Sequence, residues 1–273
     1  MAKRSPVKRE SRSFALVTDS CTAAWTQFWG AFPRILLSPF WELIFFVAIG
    51  FATAPIFNRI LIYAQAYFGA LAVQAPMLLQ GTPPASSTAL LAKLIVLYLI
   101  FFVTVYLVYG LCEGLAWAYA SKAVFPNIDG RTYLCRFARA NLLWIPLYAA
   151  LHLMSLLADF QLLNAESMGI APPTLLPTTL VVFSILLAYA AFTDYALLPM
   201  MANGRLRTIF RVVPKLLPVL ALIVLIFLAV NAILIWAFSV NQFFALAIGM
   251  LLVLPLFTYG RLLWMNALQS REA

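Results

Sequence analysis

The sequence predicts an all-α integral membrane protein with six transmembrane helices and both termini on the cytoplasmic side. Of the 273 residues, 64% are hydrophobic and only 10% are charged. Soluble domains average about half apolar and about a quarter charged residues, so this chain must expose apolar surface to lipid. When the long apolar runs are treated as spans, all but two of the 18 Lys and Arg residues fall on one side. The positive-inside rule makes that side cytoplasmic.

The chain opens with a polar segment ahead of the first apolar run. Residues 1–12 are predicted to be a basic, disordered tail, and residues 13–273 a single polytopic membrane domain. After the tail, apolar side chains recur at steps of three or four residues, which predicts one amphipathic helix. This helix is expected to lie in the membrane interface or to pack on other elements of the protein. Its stripe is Phe14, Val17, Cys21, Trp25, Phe28, Phe32 and Ile35.

The first span is predicted at 39–57, after Ser38-Pro39, because Ser is a favoured N-cap and Pro is tolerated at the first helical position. Residues 60–80 are apolar and long enough to form a seventh span. A seventh span would place the later basic clusters outside, against the positive-inside rule. We therefore expect residues 60–80 to extend the first helix, to re-enter the membrane or to lie at its interface.

The other spans are predicted at 89–115, 142–163, 176–201, 216–238 and 243–264. The second run continues past Trp117 and is longer than a ~30 Å hydrocarbon core, so it should protrude, tilt or bend. Within it, Gly110 and Gly114 have the spacing that allows close helix packing. A short basic helix is expected before the third span and another before the fifth. Six of the seven Trp residues fall near the inner interface, where indole rings anchor membrane proteins: Trp25, Trp29, Trp41, Trp117, Trp144 and Trp264.

The sequence also suggests an internal repeat of a basic amphipathic helix followed by a helical hairpin. Leu36-Leu37, Leu142-Leu143 and Leu216-Leu217 occupy matching places in the three units. Mitochondrial carriers also contain three two-helix repeats, but their Pro-x-Asp/Glu-x-x-Lys/Arg signature is missing, which excludes that family.

Two segments carry a resemblance to a known family. They are Ala23-Ala24-Trp25…Phe28…Phe32-Pro33, before the first span, and the run from Gly204-Arg205 to Lys215, before the fifth. With these segments the chain resembles the membrane domain of glycerophosphoryl diester phosphodiesterases and similar six-helix inner-membrane proteins of bacteria and archaea. The resemblance implies a multi-pass scaffold. It implies no phosphodiesterase activity, because the soluble catalytic domain of that family has no counterpart in this sequence.

Ionisable residues inside a membrane are costly and are the first candidates for function. Glu42, Glu113, Asp194 and Arg261 all fall in the cytoplasmic third of their predicted spans. We expect them to form a buried, partly compensated cluster in which Arg261 pairs with Glu113 or Asp194. Such a cluster either holds the bundle together or lines a vestibule coupled to protons or cations.

Two further polar residues, His152 and Asn231, are predicted at mid-membrane depth, where the side chains of His and Asn usually bond a neighbouring helix. A proton relay through His152 is the less favoured alternative.

The sequence contains no catalytic template such as HExxH, GxSxG or a P-loop. It suggests no enzyme, no cofactor and no metal site. The predicted function is a membrane scaffold, or a protein that binds lipid or a membrane-protein partner, in the inner or plasma membrane. The alternative is a small-solute or proton-coupled permease that uses the charged cluster. Nucleic acid is not an expected partner. The expected partners are anionic headgroups on the cytoplasmic side, and the residues predicted to contact them are Arg131, Arg136, Arg139, Arg205, Arg207, Arg211 and Lys215.

Overall fold

The computed structural model describes residues 6–78, 85–167, 175–201 and 205–272. No strand occurs in this part of the chain, which confirms the all-α prediction. Its α-helices are α1 (Pro6–Gly30), α2 (Leu37–Leu78), α3 (Ala85–Val124), α4 (Gly130–Ser167), α5 (Leu175–Leu197), α6 (Arg205–Val212), α7 (Leu217–Val240) and α8 (Gln242–Glu272). Short 3₁₀ turns at Arg34–Leu36 and Val213–Lys215 precede α2 and α7.

Five helices in the described residues are long and apolar enough to cross a membrane, which agrees with a multi-pass membrane protein. They contain Arg34–Tyr67, Thr88–Val124, Thr178–Leu197, Leu217–Val240 and Gln242–Ser270. The third predicted span, 142–163, lies in α4, which is long enough but is not among the five.

Residues 60–78 extend the first helix, which is one of the three alternatives that the sequence left open for residues 60–80. α2 runs through its 42 residues without a break, which gives a length of about 63 Å at ~1.5 Å per residue. A re-entrant segment must reverse direction, and α2 does not, so the prediction of a re-entrant segment is wrong for these residues. Residues 79 and 80 lie outside the described part of the chain.

α3 and α4 are also longer than a bilayer requires. α3 has 40 residues, or about 60 Å, so it is longer than a ~30 Å core, as the length of its apolar run predicts. In α4 the predicted basic helix and third span form one continuous helix, with Pro146 inside it. Before α7 the two remain separate because Pro214 lies in the 3₁₀ turn, where its missing N–H interrupts the helical ladder.

The contacts divide the chain into two compact units. The smaller unit is Ile44–Glu113, and the larger unit comprises the described residues up to Leu43 and from Gly114 onward. In the smaller unit α2 and α3 run antiparallel, as two ring pairs show. The ring centroids of Phe45 and Tyr109 are 5.7 Å apart, and those of Phe57 and Phe101 are 6.4 Å apart.

The larger unit is built around the C-terminal half of α8, where every residue from 260 to 268 is buried. α1 packs on α8 through a face that contains Leu16, Ser20 and Ala24. The small side chains of Ser20 and Ala24 allow close approach, and this face is rotated by one residue from the predicted stripe. Trp25 and Phe32, which belong to that stripe, are about half exposed.

α1 begins at Pro6, so residues 6–12 of the predicted disordered tail are helical. Pro is well tolerated at the first helical position, and most of the residues that follow are adequate helix formers. Residues 1–5 lie outside the described part of the chain.

Aromatic rings form much of the core of the larger unit. The Trp117 ring centroid is 4.6 Å from that of Phe192 and 5.8 Å from that of Tyr195, while Trp264 packs edge-on against Phe192 at 5.7 Å. Trp117, Trp144 and Trp264 are all buried. These three indoles are therefore core residues, and the predicted interfacial role is wrong for them.

The predicted internal repeat has a structural counterpart in two of its three units. α2 begins at Leu37 and α7 at Leu217, which are matching residues in the repeat, and each follows a 3₁₀ turn. The third matching residue, Leu143, lies inside the continuous helix α4. The first and third repeats of the sequence thus share a basic segment, a tight turn and a long apolar helix.

Candidate functional site

The larger unit encloses an ion pair between Glu42 of α2 and Arg261 of α8. Each residue is only 2% exposed. Arg261 Nη1 donates a hydrogen bond to Ser38 Oγ at 3.2 Å, and Thr258 Oγ1 donates to the same oxygen at 3.1 Å. The guanidinium carbon of Arg261 lies 5.2 Å from the ring centroid of Trp117, a cation–π distance. Arg261 is thus surrounded by a carboxylate, a hydroxyl and an indole.

Ser38 therefore has a different role from the predicted helix cap. α2 already begins at Leu37, and the hydroxyl of Ser38 faces α8, where it accepts the bonds from Arg261 and Thr258. Ser38 and Glu42 are four residues apart, so they lie on one face of α2 and both reach Arg261.

A second polar centre surrounds Asp194, near the C-terminal end of α5. Trp144 Nε1 donates to Asp194 Oδ2 at 2.9 Å, and Arg205 Nε lies 3.3 Å from Asp194 Oδ1. Next to it, the Tyr195 hydroxyl donates to Asn141 Oδ1 at 2.6 Å. This centre joins α4, α5 and the start of α6.

The ion pairs of the larger unit differ from those expected. Arg261 pairs with Glu42 and Asp194 pairs with Arg205, so the predicted pairing of Arg261 with Asp194 is wrong. Glu113 belongs to the smaller unit, where its side chain is buried. Burial of all four predicted cluster residues agrees with the sequence analysis. Which cation meets which carboxylate depends on helix rotation, which the sequence pattern does not reveal.

Two of the seven predicted lipid-contact residues make bonds inside the protein. Arg205 pairs with Asp194, and Arg136 Nη1 donates to the carbonyl oxygen of Leu198 at 2.9 Å. Leu198 directly follows α5, and a cation near a helix C-terminus complements the dipole of that helix. These two guanidinium groups therefore also bind protein atoms, and the lipid contacts of all seven residues stay a prediction. The other five residues are exposed: Arg131, Arg139, Arg207, Arg211 and Lys215.

α6 presents an apolar and a basic surface side by side. Ile209 and Val212 are buried against the larger unit, whereas Phe210 is 80% exposed and Leu206 is 50% exposed. Exposed Arg207 and Arg211 lie beside Phe210 on the same helix, and a large apolar ring next to cations is typical of a helix in the headgroup region. The other exposed cations lie at the start of α4 and after α6.

A cavity of about 620 Å³ contains two cations that were not among the predicted lipid contacts. Arg34 and Lys122 both line it, and the Lys122 ammonium lies 5.7 Å from the ring centroid of Tyr119. Lys122 belongs to a recognisable basic cluster of the sequence, but Arg34 stands apart from that cluster. Only the fold brings the two together.

The two mid-membrane candidates are exposed. His152 lies on α4 and Asn231 on α7, and neither side chain is buried. A residue that joins two helices through a hydrogen bond is normally enclosed between them. The expected role for these residues is therefore not supported by their positions.

The chain matches no protein-family model, no curated protein and no solved structure. The resemblance of residues 23–33 and 204–215 to the phosphodiesterase membrane domain therefore remains an expectation from the sequence. Function must be inferred from the side chains themselves, and these show buried ion pairs within a compact unit and exposed cations on its surface.

Proposed function

We propose that this protein is a non-enzymatic, multi-pass membrane scaffold whose basic segments hold anionic lipid headgroups at the cytoplasmic face of the inner or plasma membrane. The observation that carries this proposal is the surface of α6, where Phe210 is 80% exposed beside Arg207 and Arg211. In water such a ring is unfavourably hydrated, whereas in the interface it inserts among acyl chains while the cations meet phosphates.

The attachment of α6 supports the same function. Arg205 pairs with buried Asp194, so one cation fixes the helix to the protein while the next two point outward. A headgroup-binding surface fixed in this way need not be ordered when lipid binds, which reduces the entropic cost of binding. Each Lys or Arg near an anionic leaflet contributes about 1 kcal/mol of attraction.

The membrane topology that accompanies this function has six spans, with α4 as the third, and both termini on the cytoplasmic side. The distribution of Lys and Arg along the sequence supports it. α1 contributes a second apolar surface, because Trp25, Trp29 and Phe32 are each about half exposed on it. Indole rings at headgroup depth anchor a helix in the interface.

The burial of the charged residues favours a scaffold over a permease. Glu42, Asp194 and Arg261 are each 2% exposed, whereas residues that line a water-filled vestibule have solvent-accessible surface. Ion pairs enclosed in this way hold helices together, and their loss leaves a buried charge uncompensated.

The proposal is tested by reconstituting the full chain in bilayers that contain spin-labelled phosphatidylglycerol or spin-labelled phosphatidylcholine. The motionally restricted fraction of each lipid gives the selectivity for the anionic headgroup. Replacing Arg207 and Arg211 by Gln is expected to lower that selectivity about thirtyfold, since the two cations together contribute about 2 kcal/mol and every 1.4 kcal/mol is a factor of ten.

The matched control replaces the same two residues by Lys, which keeps the charge and should keep the selectivity. Unchanged selectivity in the Gln variant would overturn the proposed role of α6. Phe210→Ala tests the apolar contribution separately and should weaken the restriction of both lipids alike.

A further inference from the structure

Two cations of the smaller unit lie outside the basic segments of the chain. Arg59 is on α2 and Lys93 is on α3, and they are the two Lys or Arg residues that the predicted topology leaves on the outer side. The fold nevertheless brings them to one open cavity of about 530 Å³. Tyr63 lines the same cavity, and the Lys93 ammonium lies 5.5 Å from its ring centroid.

The smaller unit offers these cations no nearby carboxylate. Its sequence, residues 44–113, contains one acidic residue, Glu113. Glu113 lies 20 positions after Lys93 on the same helix, which is a distance of about 30 Å. Both cations are exposed, so an anion from outside the unit can reach them.

The spacing on α3 places the cavity at a definite depth in a membrane. Residues 94–112, between Lys93 and Glu113, carry no charge. A run of this length matches the roughly 20 residues that cross a ~30 Å hydrocarbon core. If Glu113 lies near one surface of the core, Lys93, Arg59 and Tyr63 lie at the other, where cationic and phenolic side chains meet headgroups.

We propose that Arg59 and Lys93 bind the phosphate of a phospholipid in the leaflet farther from Glu113, which is the outer leaflet in the predicted topology. The planar guanidinium of Arg59 suits two phosphate oxygens, and the ammonium of Lys93 supplies a second positive charge. The rest of the cavity is apolar and is lined by Ala92, Val96 and Leu97. The proposal commits to a membrane lipid because these side chains continue from the cations along α3, where an acyl chain can lie.

This site shares no residue with the lipid contacts of α6 and belongs to the other unit. It therefore stands or falls independently of the proposed function. Binding there would fix the α2–α3 hairpin at one depth in the bilayer.

The test is native mass spectrometry of the full chain, delipidated in detergent and then titrated with dioleoylphosphatidylglycerol. The Arg59→Gln/Lys93→Gln variant is expected to retain one phospholipid fewer than the native chain. Its apparent affinity for that lipid should fall about tenfold or more, since two cations near a phosphate are lost. The Arg59→Lys/Lys93→Arg variant keeps both charges and should retain the lipid. Equal retention by the Gln variant and the native chain would overturn the proposal.

Two further measurements distinguish lipid binding at this site from a folding defect and from the binding of free phosphate. Circular dichroism of the Gln variant should show native helix content, and the charge-preserving variant excludes a folding defect as the cause of lipid loss.

Millimolar inorganic phosphate is the competing ligand. If it displaces the phospholipid and appears bound in its place, the site takes free phosphate and the lipid assignment is overturned. The Arg207→Gln/Arg211→Gln variant should keep the lipid that depends on Arg59 and Lys93.

Discussion

Glu42 and Arg261 form an ion pair in which each residue is only 2% exposed, and the pair joins the start of α2 to the buried half of α8. Ser38 accepts a hydrogen bond from Arg261 in the same place. Two opposite charges enclosed together hold the helices in one rotation, because any other rotation leaves a buried charge without its partner.

Removing one charge of this pair is therefore expected to destabilise the protein strongly. Glu42→Gln should cost about 3–5 kcal/mol, because Arg261 would stay charged and buried without its carboxylate. The double variant Glu42→Gln/Arg261→Met removes both charges and should be more stable than Glu42→Gln. Unfolding of the purified protein in mixed detergent micelles measures both. A double variant no more stable than Glu42→Gln would contradict the pairing.

Two glycines of α3 should respond differently to the same substitution. A Cβ at Gly114 would lie 2.9 Å from Leu134 Cδ2 and 3.1 Å from Phe137 Cδ1, whereas a Cβ at Gly110 has nothing within 4 Å. Phe137 is fully buried, so the ring has little space into which it can shift. Gly114→Ala should therefore be about 1–3 kcal/mol less stable than Gly110→Ala, measured as the difference in thermal unfolding. Equal stabilities would refute the close contact.

The ion pair between Asp194 and Arg205 should control how firmly α6 is attached. Asp194→Asn and Arg205→Gln are each expected to speed amide hydrogen exchange in residues 205–212 by a similar factor, corresponding to about 1 kcal/mol at this partly exposed pair. Arg207→Gln is the matched control, because Arg207 is exposed on the same helix and should leave the exchange rate unchanged. Fast exchange in the control, or slow exchange in both test variants, would contradict this role.

The start of α4 should depend on pH through Asp129. This carboxylate accepts hydrogen bonds from the Thr132 hydroxyl at 2.8 Å and from the Thr132 amide at 3.0 Å. These bonds, with a weaker one from the Arg131 amide, hold the pKa of Asp129 below its ordinary value. A lowered pKa in the folded state means that the cap stabilises above the unfolded-state pKa and is lost as pH falls through the folded-state pKa.

We therefore expect the amides after Asp129 to stay protected at neutral pH and to lose protection only below the usual Asp range, near pH 3.9. Amide exchange as a function of pH measures this. Asp129→Asn should keep a cap that no longer titrates in this range, and Asp129→Ala should lose the cap at every pH. A native profile identical to that of Asp129→Asn would contradict the prediction.

The orientation in the membrane can be tested with a native cysteine. Cys135 of α4 is exposed, whereas Cys21 is partly buried and Cys112 is buried. A membrane-impermeant maleimide should label Cys135 in inside-out vesicles and leave it unlabelled in intact cells. Cys135→Ser should remove most of the signal. Strong labelling in intact cells would reverse the proposed topology.

The sequence predicts the helices better than it predicts the side-chain contacts between them. Long apolar runs suffice to show that α2, α3 and α7 exist, because a helix satisfies its own backbone hydrogen bonds in lipid. The residues at which these helices begin and end are harder to predict. The first helix continues past residue 57, the predicted end of the first span, since Asn58 and Arg59 are tolerated within a helix, whereas Pro214 interrupts one.

Side-chain partners could not be read from periodicity. The sequence predicts that Glu42 and Arg261 lie at similar depths in their spans. Their pairing, however, depends on how α2 and α8 are rotated about their axes. Trp117 and Trp264 illustrate the same limit. An indole near the end of a span fits a headgroup belt and a protein core equally well, and the packing of other helices decides between them.

The enclosure of α8 has a consequence for biogenesis. Every residue from 260 to 268 is buried in the core of the larger unit. The upstream helices of this unit therefore cannot complete their packing until this stretch has been synthesised. Insertion of the earlier spans and completion of the core are therefore separate events in time. During that interval, Glu42 has not yet formed its ion pair with Arg261.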